Sequence, residues 1–314
     1  MEGELFIDGK DAYTTYGIGI INAGYKGIAS YPSLKEPDTN DWPDENGIEA
    51  DLSEPALDKR DISINFYGVS EIGAASMISD LSSGAYHIWY FAEIGCTMKL
   101  RISKESSKKI VKSLQTFTLK FIDDFPFYGF TMPDDETKPI IPQWGVSQTG
   151  YNIDDISLAD YGIYVIDGAD ENIMETPEAK TNLEISIKNK NGITYDASFI
   201  KYKSKDCTIP LFIRSSSKED FWNRYYTLLY NLTRPEARRF LFSRTNTEYS
   251  FYYKSGSCSR IEILSDGGIW CEFSIVLVFM DYTTKEFYAP IKLLQDGNIK
   301  LLLNGTIHKF NTNI

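Results

Sequence analysis

The chain predicts a mainly β fold of the β+α kind: two tandem β-barrel or β-sandwich domains, each carrying one helix. Three observations lead there. Residues 16–64 recur at 161–209 with a constant spacing of 145 and no gap, and 14 of the 49 positions are identical, where ordinary composition would give roughly three. The composition is rich in strand-forming aromatics, with 21 Tyr and 18 Phe in 314 residues. Finally, each half offers a single apolar stripe at helical spacing among segments that alternate with period two.

The repeat extends beyond its gapless core once small insertions are allowed, so a whole folding unit recurs. At a spacing of 151, Asp80-Leu81 faces Asn231-Leu232 and Trp89-Tyr90-Phe91 faces Phe240-Leu241-Phe242. At a spacing of 158, Phe117–Phe121 faces Ile275–Phe279, with Asp123 opposite Asp281. The expected organisation is a first domain over 1–130, a linker over 131–150 rich in Pro, Asp and Gly, a second domain over 151–283 and a C-terminal extension over 284–314. Each domain is long enough to bury a core of its own.

Within the second copy, Leu183, Ile185 and Ile187 alternate with polar residues. Asn191-Gly192 follows, then Ile193, Tyr195, Ala197 and Phe199 alternate again, which predicts a hairpin. The first copy keeps Asn46-Gly47 but carries Pro37, Trp42 and Pro43 in the incoming arm, which predicts a loop or frayed edge. Phe221, Trp222, Tyr225, Leu228, Leu229 and Leu232 predict a helix over 218–232, and Ile72, Ala75, Met77, Ile78 and Leu81 predict its shorter counterpart over about 70–81. Strands over 114–122 and 271–280 close the two copies. In the extension, Asp296-Gly297-Asn298 between two apolar runs predicts a hairpin.

The charge balance is -12 with a pI near 4.8, and no dense Lys/Arg cluster occurs, so sequence-specific nucleic-acid binding is not expected. No window is apolar enough for a membrane helix, and the first residues lack a secretion signal, so synthesis and folding in a cytoplasm are expected. Cys96, Cys207, Cys258 and Cys271 read as buried reduced thiols, with a Cys258–Cys271 bridge left open.

Catalytic chemistry finds little support. Only His87 and His308 are available as imidazoles, at non-equivalent places, with His87 opposite Arg238. The glycines of Gly17-Ile18-Gly19 and Gly24–Gly27 fit no phosphate-binding motif. The pairs Asp123-Asp124, Asp134-Asp135 and Asp154-Asp155 read as solvated turns. The run from Asp167 to Asn172 lacks the fixed Gly and terminal Glu of a calcium loop. The residues kept in both copies make turns and cores, so no enzyme, catalytic residue, cofactor or metal is expected.

The segment Phe6-Ile7-Asp8-Gly9-Lys10-Asp11, then Tyr16-Gly17-Ile18, the Asn46-Gly47 turn, the strand Asp58–Ile64, a helix, Trp89-Tyr90-Phe91 and the strand Phe117–Asp123 resemble the N-terminal domain of phage distal tail proteins. Asp155–Ile163 resembles that family's opening segment as well. The resemblance implies tail-tube-like domains, no enzymatic activity, and assembly into a ring joining tail tube to hub and receptor-binding apparatus. Two such domains in tandem depart from the family's usual plan, so both a trimer with a pseudo-sixfold ring and a hexamer remain open. Implied partners are copies of itself, tube and hub or fibre proteins, and DNA in passage, with no membrane. The implied location is the virion tail. A tandem β-sandwich binding module is the alternative, with Trp42, Trp144, Tyr31 or Tyr86 stacking on sugars. For the interface, the sequence singles out Tyr31, Pro32, Trp42 and Pro43 in the first arm, Trp144 in the linker and the extension after Tyr282, because each adds apolar groups outside the repeat.

Overall fold

The computed structural model describes residues 2–21, 24–82, 85–111, 114–131, 150–181, 184–195, 200–281, 292–295, 298–303 and 306–310. The fold is mainly β, built on two curled seven-stranded sheets. In the first sheet the strands are β1 (Leu5–Ile7), β2 (Lys10–Asp11), β3 (Ile18–Ile20), β6 (Arg60–Gly68), β7 (His87–Phe91), β8 (Cys96–Val111) and β9 (Leu114–Asp123). Their spatial order is β2-β1-β7-β8-β9-β6-β3, all antiparallel. Outside this sheet, β4 (Thr39–Asn40) pairs with β5 (Glu49–Ala50).

The second sheet consists of β10 (Tyr151–Ile153), β11 (Ile156–Ser157), β12 (Ile163–Val165), β15 (Lys205–Arg214), β16 (Arg238–Phe242), β17 (Thr247–Ile263) and β18 (Ile269–Phe279). Its order, β11-β10-β16-β17-β18-β15-β12, reproduces the first sheet strand for strand. The small pair β13 (Glu184–Ile185) and β14 (Thr194–Tyr195) stands where β4 and β5 stand in the first copy. Even the isolated bridges correspond, Leu34 to Leu57 and Ala179 to Tyr202.

Alternation drives this arrangement. Along β6 the buried positions are Arg60, Ile62, Ile64, Phe66 and Gly68, and along β15 they are Lys205, Cys207, Ile209, Leu211 and Ile213. Each copy carries one long helix, α3 (Glu71–Leu81) or α5 (Lys218–Leu232), capped by a serine: Ser70 accepts from Gly73 N at 3.0 Å and Ser217 from Asp220 N at 3.1 Å. Beside these lie short helices absent from the sequence reading: α1 (Ala12–Tyr16), α2 (Lys26–Ala29), α4 (Ala169–Met174) and a 3₁₀ turn at Leu158–Tyr161. Such pieces span one or two turns, too little for a hydrophobic period to register. Helix α1 and the 3₁₀ turn end on Gly17 and Gly162, both in the left-handed region at φ 70° and 66°.

Three expectations are corrected. The closing strands correspond at a spacing of 156, not 158, because Ile64 pairs with Leu119 while Ile209 pairs with Ile275. A slip of two leaves every side chain on the same face, so the pattern of apolar residues cannot distinguish the two registers. The counterpart of Asp123 is thus Phe279. In the second arm the expected hairpin forms, but among the described residues it pairs Ile185↔Thr194 and Glu184↔Tyr195, which leaves a wide loop over 186–193 in place of a two-residue turn at Asn191-Gly192. In the first arm the prolines flank a short β4–β5 pair. Leu183, Ala197, Phe199 and most of the expected linker fall outside the described residues.

Residues Met1–Tyr282 form one compact unit containing both sheets, and Thr283–Ile314 form another. In the latter, β19 (Lys292–Gln295), β20 (Asn298–Leu303) and β21 (Thr306–Phe310) make a three-stranded antiparallel sheet, one strand more than the expected hairpin.

Candidate interaction surface

Most of the acids considered in the sequence that fall among the described residues are engaged structurally. Asp123 is buried and takes Arg60 Nε at 2.9 Å and Nη2 at 2.5 Å. Asp124 takes Arg101 Nε at 2.5 Å and the Tyr86 hydroxyl at 2.9 Å. Asp154 and Asp155 sit at positive φ in a strand connection and pair with Arg238 and Arg239. Asp8 is the counterpart of Asp154: its Oδ1 accepts from Ile88 N at 2.8 Å, as that of Asp154 accepts from Arg239 N at 2.9 Å. His87 Nδ1 lies 2.7 Å from Asp8 Oδ2, so the histidine position holds a side-chain clamp on the acid at the start of a strand, a place filled by Arg238 against Asp154 in the other copy. The Asp167–Asn172 run becomes the start of α4, where Asp170 accepts from Tyr151 Oη at 2.5 Å. Asp134 and Asp135 lie outside the described residues.

All four cysteines are buried and free. Burial pushes the Cys96 and Cys207 thiols up to about 12, so neither is a thiolate at neutral pH. Cys258 and Cys271 bring their sulfurs to 3.6 Å without a bond. Among the described residues, no group of three or more His, Cys, Asp or Glu could hold a metal ion, and no helix is long and apolar enough to cross a membrane.

The most developed polar geometry lies instead where the first copy meets the second. The Tyr31 ring lies 4.1 Å from that of Tyr225 and edge-on to Tyr253 and Phe273. Its hydroxyl donates to the Tyr225 carbonyl at 2.5 Å. Tyr253 Oη donates to the Pro32 carbonyl at 2.7 Å, and Tyr225 Oη to the Ala29 carbonyl at 2.6 Å. Every buried hydroxyl in the plug therefore has a backbone acceptor, which removes the penalty of burying it. Burial raises the Tyr31 and Tyr225 hydroxyls well above their ordinary value. From α5, Trp222 Nε1 donates to the Ile94 carbonyl at 2.7 Å, and Tyr226 packs on Phe127 and Phe130.

Further along, the first arm is seated by its backbone. Gly47 N donates to the Tyr202 carbonyl at 2.7 Å, Ile48 N to the Met280 carbonyl at 2.9 Å, and Tyr202 N to Asn46 Oδ1 at 2.9 Å. Lys180, 7% exposed, gathers Asp41 at 2.5 Å and the carbonyls of Trp42 at 2.7 Å and Gly47 at 2.9 Å. Gly47 is required twice over: its φ is 72°, and a Cβ there would lie 1.5 Å from the Met280 oxygen.

The residues singled out for an interface are thus placed as follows. Tyr31 and Pro32 are buried against the second copy of the same chain, so no neighbouring molecule or sugar can reach Tyr31. Trp42 and Pro43 are exposed on the first arm, with Trp42 Nε1 donating to Glu49 at 3.0 Å. Trp144 lies outside the described residues. Sequence reasoning missed Tyr225, Tyr253 and Lys180 as members of this joint. Lys180 carried a signal, since it is one of the identical positions, but nothing local to it indicated a partner some 140 residues away.

No protein-family model matches the chain, and no curated protein does. The chain is similar to a solved structure described as the SPP1 Dit (gp 19.1) protein, a paradigm of the hub adsorption apparatus in phages infecting Gram-positive bacteria. The identity is 10%, the match covers 88% of this chain and 97% of that one, and the TM-score is 0.31. A TM-score this low is no basis for inferring a role.

Proposed function

We propose that the chain is a structural building block of a phage or phage-like tail, forming an adaptor ring between the tail tube and the hub or receptor-binding apparatus. The observation that carries the reading is the joint between the copies. One copy presents an arm and the other receives it, so two like units are joined head to tail, the kind of contact from which rings are made. The sequence resemblance of both copies to the distal tail domain supports the same reading. Each chain would supply two quasi-equivalent units, so that three chains make a ring of six, or six chains make two stacked rings. The acidic balance of the chain suits a channel through which DNA passes, since a polyanion would not be held there. Its partners would be tube, hub and fibre proteins, and its place the virion tail after assembly in the host cytoplasm. Electron micrographs of the purified protein, or of particles, test this reading. Rings with a central channel are expected, and a strictly monomeric protein that binds glycans would overturn it.

A further inference from the structure

The second copy carries the same arm as the first, and among the described residues no receiver holds its Asn191-Gly192-Ile193 tip, which stands exposed. Asn191, Gly192 and Ile193 are the counterparts of Asn46, Gly47 and Ile48 at the spacing of 145. Gly47 is buried and Ile48 partly so, whereas Gly192 is exposed and Ile193 is 57% exposed. Gly192 keeps the left-handed φ of 78°, yet a Cβ on it would meet nothing within 4 Å. Ile185, Ile187 and Tyr195 on the same arm are exposed as well. An arm of this composition standing in water is costly unless something covers it.

The receiving surface is also duplicated. Lys35 is the counterpart of Lys180, Leu57 of Tyr202 and, by the register of the closing strands, Asp124 of Met280. Lys180 is buried under the first arm, while Lys35 is exposed. Among the described residues the first copy therefore has an uncovered receiver and the second an unseated arm, and each retains the residues that make the joint inside the chain: Asn-Gly-Ile on the arm and Lys on the receiver.

We propose that the arm of the second copy, around Asn191-Gly192-Ile193, docks on the Lys35–Leu57–Asp124 face of the first copy of another chain, repeating between molecules the joint seen within one. The occupant is a second copy of this chain because the covered version of the same arm already shows what covers it. In this contact Gly192 N meets the Leu57 carbonyl, Ile193 N meets the Asp124 carbonyl, and the Lys35 ammonium gathers arm carbonyls. The joint between molecules differs from the internal one in two ways. The position of Tyr31 is taken by Thr176 and that of Asp41 by Ser186, so the aromatic plug and the carboxylate are missing. It should accordingly be the weaker joint and dissociate on dilution, while the internal one persists.

The inference rests on the ring reading, and the experiment separates the two. Assembly would be followed by sedimentation velocity or mass photometry against concentration, with circular dichroism and thermal melting as folding controls. Gly192→Asn tolerates the left-handed φ but places a Cβ in the contact. Lys35→Glu reverses the charge on the receiver. Each should raise the concentration needed for assembly by about tenfold or more without changing the melting temperature appreciably. Ser186→Asp should rebuild the ion pair that Asp41 makes with Lys180 and lower that concentration by about fivefold, a gain that Lys35→Ala should abolish. A wild-type oligomer indifferent to all these changes would overturn the arm contact and leave the ring reading standing. A wild-type protein monomeric at every concentration would overturn both.

Discussion

The two copies solve the same problem at the head of the same strand with different chemistry. In the first, Arg60 on β6 is buried, binds Asp123 on the neighbouring strand, and donates to the carbonyls of Ile28 at 3.3 Å and Ser30 at 2.7 Å at the end of α2. In the second, Lys205 on β15 donates to the carbonyls of Asn172 and Glu175 at the end of α4, and the counterpart of Asp123 is Phe279. What the two share is a buried cation over the C-terminus of a short helix, where unsatisfied carbonyls concentrate negative charge. The acid is an addition of the first copy. The function of this position is to tie the short helix to the sheet, and it can be met by either cation.

The comparison extends to the joint. Thr176 is exposed where Tyr31 is buried, and Gly192 is open where Gly47 is closed in. The largest effect should therefore come from Tyr31→Ala, which empties the plug against Tyr225, Tyr253 and Phe273. A cost of about 4 kcal/mol is expected in denaturant unfolding, against no measurable change for Thr176→Ala. Equal effects at the two positions would mean that the copies are not joined as described.

Next in size is Arg60→Met, which leaves the Asp123 carboxylate buried and unpaired and should cost about 3 kcal/mol. Lys205→Met leaves only carbonyls without their donor and should cost about 1–2 kcal/mol. If Lys205→Met proves the more damaging, the acid in the first copy is not a partner that needs its cation.

Gly47→Ala and Gly192→Ala both place a Cβ at positive φ, worth about 1 kcal/mol each. Only at Gly47 does the added methyl collide with the Met280 carbonyl, so its thermal midpoint should fall further than that of Gly192→Ala measured on the dissociated protein.

The smallest difference is electrostatic. The Arg101 guanidinium holds the Asp124 carboxyl below its ordinary 3.8, outweighing the opposing effect of burial. A group with a depressed folded value stabilises above its ordinary value, and the contribution disappears as pH falls through the folded value. Its counterpart Met280 cannot titrate. Asp124→Asn should thus lower the melting temperature slightly at neutral pH and converge with wild type in acid. A gap that does not change with pH would assign the contribution of Asp124 to packing.

Much of the fold was legible because its determinants are local. The apolar stripes of α3 and α5 and the strands that close each copy follow from side-chain period within a few residues. The spacing of 145 then predicts that whatever the first copy builds, the second builds too, and the matching strand orders agree with this. The joint was not legible in the same way. Tyr31 stood out as an apolar addition to the repeat, but no local rule distinguishes a tyrosine awaiting a neighbour from one already buried under Tyr225.

By itself the sequence determined the β-rich class, the two like units, the position of each long helix and the poverty of reactive groups. Only the tertiary structure decided that the closing strands differ by a slip of two residues, that Asp123 answers to Phe279, and that Lys180 and Gly47 meet across the chain. The reason is physical. Period and propensity act between neighbours in sequence, whereas register and docking depend on which of several equally patterned surfaces come together, and a two-residue slip or an empty arm leaves no mark on the pattern.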